Sequence, residues 1–360
     1  MNIAIITNKP YGNSETFIKA QIDHLPFNCF HYWGTAIPFQ LKPNIKTSFF
    51  HKLLSKVKTK KSNSEDLFIH DLNKHNIQLV LAHYGMMGTL VFNVCQKLNL
   101  PLVVHFHGHD AVRKSVVQSY RESYKNMFNY PKLKIISVSH EMTNRLIALG
   151  CPKEKILYNT YGPNKLFLSL TPLYSQKQFV FIGRFVEKKA PHLLLLAFKK
   201  SLEKHPDIKL IMAGDGPLLD SCISLTKALQ IEDEVYFPGH ISPERYMSFL
   251  ANSLAYIQHS IEAEDGDMEG TPVSILEASA AGLPVISTIH AGIPDVIIHQ
   301  KTGLLSQELD IDAMSQNMNW LIENKNLAIE MGQMGKKHIN ANFSFQKHIN
   351  GLEEILKKCL

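Results

Sequence analysis

The sequence predicts an α/β protein of two Rossmann-like domains facing each other across a cleft, and three observations carry that prediction. Short apolar or β-branched runs alternate with helix-period segments from one end of the chain to the other, which is the pattern of parallel α/β folds. At 360 residues the chain exceeds what one hydrophobic core usually supports. The two halves also differ in charge: residues 1–160 hold 20 Lys plus Arg against 9 Asp plus Glu, whereas residues 161–360 hold 18 against 23.

In chain order, the apolar run at 2–7 reads as a first strand, followed by runs at 78–83, 102–106 and 134–139. Apolar residues at helical spacing predict helices over 86–98 and 140–149. Segment 163–176 contains Pro163, Pro172 and several hydroxyl residues without a period, and it reads as a linker between domains at 1–162 and 177–340. The second domain repeats the alternation, with strands at 179–182, 209–213, 255–259 and 285–288 and helices over 191–204, 218–230 and 243–251. From 311 onward the pattern is helical, broken near Asn324 and Phe343, and the terminal helix at 341–360 is expected to pack back towards the first domain.

Composition fits a folded globular protein, with 45% hydrophobic and 19% charged residues. The five cysteines are scattered, odd in number and without a CxxC pair, which argues for reduced thiols over a disulfide frame or a zinc site. The start of the sequence shows no basic leader, and no apolar run approaches the roughly 20 residues of a membrane-spanning helix. A cytoplasmic location is expected. Nucleic acid is disfavoured, because no reading helix or stacking platform is evident and the second half is acidic.

The most informative string is EAEDGDMEGTPVSILEASAAGLPVIST, residues 262–288. Gly270, Thr271 and Pro272 read as a turn, and Pro272 suits the first turn of a short apolar helix beginning at Val273. Amides at such a helix start can hold a diphosphate without a metal. Glu269 precedes the turn, and a carboxylate at Glu277 can accept two hydrogen bonds from a ribose diol. Taken alone, the two acids read more readily as a helix-start acid and an exposed helix residue than as functional groups.

A second string, FIGRFVEKKAPHLLLLAF at 181–198, places Arg184 and Lys189 between a strand end and a helix start, where cations can neutralise a diphosphate leaving group. Isolated, they read as surface charges. The third, HFHGHDA at 105–111, sets His107 just after a strand, where a neutral imidazole can bind a sugar hydroxyl or polarise a reacting oxygen. Three histidines in five residues also raise a metal site. However, neighbouring strand residues alternate faces, and no thiolate or carboxylate group completes one. KPYGNSETFIK at 9–19 supplies a turn at Gly12 and a cap at Ser14. The AGDGPL run at 213–218 lacks the third glycine of a dinucleotide fingerprint.

Together these strings resemble the family 4 glycosyltransferases, retaining enzymes with the fold called GT-B, of the kind that serve exopolysaccharide, lipopolysaccharide and capsule synthesis. The family's EGxPxxxLEAxAxGxPV is matched by EGTPVSILEASAAGLPV, and GIPDVI follows at 292–297. GRxxxxKG is matched with Ala190 in place of the glycine, and HGxD is matched at His107. NTYGPN at 159–164 departs from the family's NGVD-like crossing. The resemblance implies a nucleotide diphosphate sugar as donor, a UDP-sugar favoured and a GDP-sugar possible, bound by the second domain. A glycan or lipid-linked acceptor would meet the basic first domain. It further implies that Glu277 holds ribose, that Arg184, Lys189, Gly12 and the amides of Gly270, Thr271 and Val273 hold the diphosphate, and that Glu269 and His107 serve the hexose. His105 and His109 are left structural or acceptor-facing, and no metal or other cofactor is implied. Transfer would retain anomeric configuration. Two other classes stay open: a sugar-nucleotide hydrolase or epimerase, which would form product without an acceptor, and a non-catalytic nucleotide-sugar binding subunit.

The resemblance is weakest from 28 to 71, and segment 42–61 lies within that region. It holds Lys42, Lys46, Lys52, Lys56, Lys58, Lys60 and Lys61 without an acid, and Phe49, Phe50, Leu53, Leu54 and Val57 recur at roughly helical spacing. It reads either as a basic amphipathic segment lying on an anionic leaflet or as a solvated lysine loop.

Overall fold

The computed structural model describes residues 1–10, 16–37, 39–41 and 64–360. Its contacts divide the chain into two compact units, one of Met1–Val138, Met142–Asn159 and Ile349–Leu360, the other of Ser139–Glu141 and Thr160–His348.

The first unit is built on β1 (Asn2–Thr7), β2 (Asn28–Trp33), β3 (Gln40–Leu41), β4 (Leu79–His83), β5 (Leu102–His105), β6 (Leu133–Ser137) and β7 (Ile156–Tyr158). They lie in the order β3-β2-β1-β4-β5-β6-β7, parallel apart from the antiparallel β2–β3 pair. Every residue of β4 and β5 is buried, as expected for parallel strands covered on both faces and written as continuous apolar runs.

The second unit carries β8 (Gln178–Ile182), β9 (Lys209–Ala213), β10 (Val235–Gly239), β11 (Ala255–Ile257), β12 (Val285–Thr288) and β13 (Gly303–Ser306). Their order is β10-β9-β8-β11-β12-β13, parallel throughout. Phe179, Phe181, Phe185, Phe198, Leu194 and Met212 are fully buried in its core. Both sheets reverse their strand order once, between β1 and β4 and between β8 and β11. In open α/β sheets the crevice outside the carboxyl ends of the strands at such a reversal is where ligands bind.

The strands predicted at 2–7, 209–213 and 285–288 and the helices Pro191–Lys204 and Val273–Ala281 coincide residue for residue with those observed. The terminal region forms Ile311–Glu323, Lys325–Asn342 and Phe345–Lys358, broken at the expected places, and its last residues from Ile349 belong with the first unit. Segment 163–176 holds a short helix, Lys165–Ser169, which Asn164 starts by accepting the Leu166 N–H at 3.0 Å. Val273–Ala281 is buried on nearly every side and ends at Gly282, whose φ of 100° lies in the left-handed region that glycine enters without strain.

Candidate active site

In the second unit the chain leaves β8 at Gly183 and folds the Lys189 side chain back over it. A Cβ on Gly183 would stand 3.1 Å from Lys189 Cδ, so the glycine makes room for the lysine. Ala190 follows with φ 35° and ψ 53° at the start of Pro191–Lys204. The backbone needs a left-handed residue at the position where the GRxxxxKG pattern has glycine, and alanine adopts that conformation at a cost of about 1 kcal/mol. Arg184 is exposed.

Lys189 Nζ lies 2.8 Å from Glu269 Oε1 and donates to Gln258 Oε1 at 3.1 Å, with only 12% and 10% of the lysine and glutamate side chains exposed. Burial pushes the Glu269 carboxyl up, but Lys189 and the neighbouring Lys188 outweigh it and hold the group down at about 2. The acid is therefore ionised and already matched to a cation. Lys188 donates to Asp267 Oδ1 at 3.2 Å and to the Met268 carbonyl at 3.0 Å, so the acid-rich loop is tied to the β8 loop by both lysines. Gln258, outside every string singled out in the sequence, and Lys188, at a variable position of GRxxxxKG, are the residues that the sequence reading missed here.

Glu269 is followed by Pro272 and the helix Val273–Ala281, whose first amides, like those of any helix, lack an intrahelical acceptor. Gly270 and Thr271 are buried and Val273 is half-buried. Glu277 lies on the same helix, half-buried, and accepts the Tyr246 O–H at 3.0 Å. Burial pushes its carboxyl up to about 7, with the Tyr246 hydrogen bond acting in the opposite sense. Tyr246 is itself packed edge-on against Phe167, with ring centroids 5.1 Å apart. Glu277 is thus held in one orientation by a tyrosine that no motif announces.

In the first unit the HFHGHDA string is organised by Asp110. Its buried carboxylate accepts the N–H groups of His107 at 3.0 Å, Gly108 at 2.9 Å and Gly85 at 2.9 Å, fixing the loop after β5 against the start of the helix Gly85–Lys97. Three hydrogen bonds from backbone donors explain why a buried acid is tolerated there. His107 Nε2 lies 3.0 Å from His83 Nδ1, and the rings stack at 5.2 Å. The β4–β5 register sets His83 beside His105. Candidate ligand atoms of His83, His105 and His107 all lie within 4.8 Å of one another. Spacing along the chain could not show His83, because strand pairing, not sequence proximity, brings it in. Gly12 and the lysines at 42–61 lie outside the described residues.

Two family models match the chain: "Glycosyl transferases group 1" over residues 171–338 and "Glycosyltransferase Family 4" over residues 66–158. A putative colanic acid biosynthesis glycosyltransferase, WcaL, of Escherichia coli K12 is 29% identical over 243 residues, 66% of this chain and 60% of that protein. The chain therefore spans less than two thirds of that relative's length. The amylovoran biosynthesis glycosyltransferase AmsK of Erwinia amylovora is 28% identical over 78% of this chain and 70% of its own. Among solved structures, Anabaena Alr3699/HepE in complex with UDP superposes with a TM-score of 0.79 at 15% identity, covering 99% of this chain and 100% of that one. The lipopolysaccharide outer core galactosyltransferase WaaB gives 0.71 at 18% identity over the whole of both chains.

Proposed function

The chain belongs to the family 4 glycosyltransferases of the GT-B fold, and from that premise we propose that it transfers a hexose-type sugar from a nucleotide diphosphate sugar to a glycan or lipid-linked acceptor in cell-surface polysaccharide synthesis. The observation that carries this reading is the Lys189–Glu269 pair at the strand-order reversal, with Glu277 on the helix that follows. A lysine at that point neutralises a departing diphosphate, Glu269 takes the hexose, and Glu277 takes the ribose diol. By the family resemblance Arg184, Gly12 and the amides of Gly270, Thr271 and Val273 are assigned to the diphosphate, and His107 to the sugar. A UDP-sugar is the favoured donor, in keeping with the UDP bound by the Anabaena neighbour, and a GDP-sugar is second. In the retaining course the acceptor O–H attacks the anomeric carbon from the side on which the C–O bond to diphosphate breaks. The proton passes to the leaving phosphate oxygen.

Transfer proceeds in this reading without a divalent metal, because Lys189, Arg184 and the helix-start amides balance the diphosphate charge. The test is a thermal-shift screen of UDP, GDP, ADP and their sugars, followed by turnover of the best donor with and without EDTA. We expect one nucleotide series to raise the melting temperature and activity to survive the chelator. No shift with any nucleotide sugar would refute the donor assignment. Loss of activity with EDTA and recovery with magnesium or manganese would refute metal independence. Turnover without any acceptor would favour a hydrolase or epimerase, and binding without turnover would favour a non-catalytic subunit.

The lysine-rich segment is assigned to an anionic membrane surface, placing the enzyme as a peripheral protein on the inner face of the plasma membrane beside a lipid-linked acceptor. Replacing Lys52, Lys56, Lys58, Lys60 and Lys61 with Gln should weaken binding to phosphatidylserine-containing vesicles at low salt and flatten its salt dependence. Vesicle binding equal to that of the parent would leave the segment a solvated loop.

A further inference from the structure

The ends of β12 and β13 carry an acid–histidine pair that the reading above does not use. His290 follows β12, and its side chain is fully buried. Its Nε2 accepts the Glu269 backbone N–H at 3.2 Å. A ring nitrogen that accepts must be unprotonated, so the proton of the neutral ring sits on Nδ1. Nδ1 lies 2.6 Å from Glu308 Oε1, the partner such a proton requires. Glu308 follows β13, and its other oxygen, Oε2, accepts the Glu262 N–H at 2.8 Å. One carboxylate therefore grips both ends of the acid-rich loop, directly at Glu262 and through His290 at Glu269.

The contact is reinforced two residues on. Gly292 N–H donates to the Gly270 carbonyl at 3.0 Å, and a Cβ on Gly292 would stand 2.2 Å from that oxygen. The 290–292 turn is thus latched to 269–270 at two adjacent points, one of them open only to glycine. The far end of Glu269 meets Lys189 at 2.8 Å. Its backbone is set by His290 and its carboxylate by Lys189, so rotation of the side chain is restrained from both ends.

We propose that Glu308 and His290 are positioning residues that fix the Glu269 backbone through the Nδ1–H tautomer of His290, so that the Glu269 carboxylate is presented to the transferred sugar. This rests on the assignment of Glu269 to the hexose. In this assignment the pair acts on the donor through Glu269, whose backbone N–H it holds. A bond to the ring acceptor is what the loop needs, and a glutamine at position 290 can place its amide oxygen near the site of Nε2, whereas alanine cannot.

The test is calorimetry with UDP and with the UDP-hexose selected by the screen above, on His290→Ala, His290→Gln and Glu308→Gln. His290→Ala is expected to reduce the affinity gained from the sugar, the ratio of the two dissociation constants, about tenfold, as for loss of one well-placed hydrogen bond. UDP affinity should stay within about twofold of the parent, and His290→Gln should restore most of the sugar gain. Equal weakening of UDP and UDP-hexose, or a glutamine variant no better than alanine, would reduce the pair to a structural role. Should His290→Ala not fold, Glu308→Gln carries the same comparison. Imidazole nitrogen shifts in 15N NMR give an independent reading: an Nδ1–H ring for His290 in the parent supports the relay, and an Nε2–H ring overturns it. A parent protein that binds no nucleotide sugar sinks the functional reading itself, whereas normal binding with an unchanged sugar gain in His290→Ala sinks the positioning role alone.

Discussion

Replacing Glu269 with Gln is expected to lower kcat about hundredfold while UDP binds as tightly as before, or tighter. The carboxylate is matched to Lys189 across 2.8 Å in a site where little of either side chain is exposed. Removing its charge takes away the group that would face developing positive charge on the sugar. A charge-assisted hydrogen bond felt fully in the transition state is worth about 1.5–3 kcal/mol, or ten- to hundredfold in rate. The nucleotide should respond in the opposite sense. Lys189 loses its anionic partner but keeps Gln258 as an acceptor, so more of its charge is available to a diphosphate. A cost in stability is also expected, because half of a buried ion pair has been removed. Steady-state turnover beside calorimetry with UDP separates these effects. Full turnover in the variant, or a loss of UDP affinity parallel to the loss of kcat, would show that Glu269 does not act on the sugar.

What the sequence made legible was local, and what it hid was long-range. Strands at the middle of each sheet, such as β4 and β11, are buried over their whole length, so they appear as unbroken apolar runs. The strands that pattern alone did not single out include β7 and β10, at sheet edges, and β2, one place in from β3. Partial exposure there admits Asn28, Tyr158 and Tyr236, and the apolar signal is diluted. The site divides in the same way. Glu269, Glu277, Lys189 and His107 lie in contiguous strings whose spacing is written in the chain. Tyr246, Gln258, His83, His290 and Glu308 act through pairings 18 to 69 residues away that only the fold creates. Each is an ordinary residue by type and neighbourhood, and only the identity of its partner gives it a role.

Glu277→Gln is expected to make the protein more stable at pH 8 and weaken UDP binding at the same pH. In the unfolded chain this carboxyl titrates near 4.5, and in the fold burial raises it to about 7. Between those values the folded protein keeps a proton that the unfolded chain has released, so stability falls as pH rises through that window. At about 1.4 kcal/mol per pH unit, the whole window amounts to on the order of 3 kcal/mol. Glutamine is uncharged at every pH and can still accept the Tyr246 O–H through its amide oxygen. The variant should therefore melt about 5 °C higher than the parent at pH 8 and nearly level with it at pH 5. Binding runs the other way. A ribose diol donates two hydrogen bonds to an ionised carboxylate, so parent affinity for UDP should rise about tenfold from pH 6 to pH 8, the steeper part of it below pH 7, and then level off as Glu277 completes its ionisation. The amide offers one acceptor and does not titrate, so the variant should bind UDP at least about tenfold more weakly at pH 8, with the pH dependence gone. Melting curves and calorimetry at pH 5, 6, 7 and 8 on both proteins decide the matter. A variant no more stable than the parent at pH 8 would mean that the buried carboxyl is not strained when charged, and an unchanged UDP affinity would remove Glu277 from the ribose.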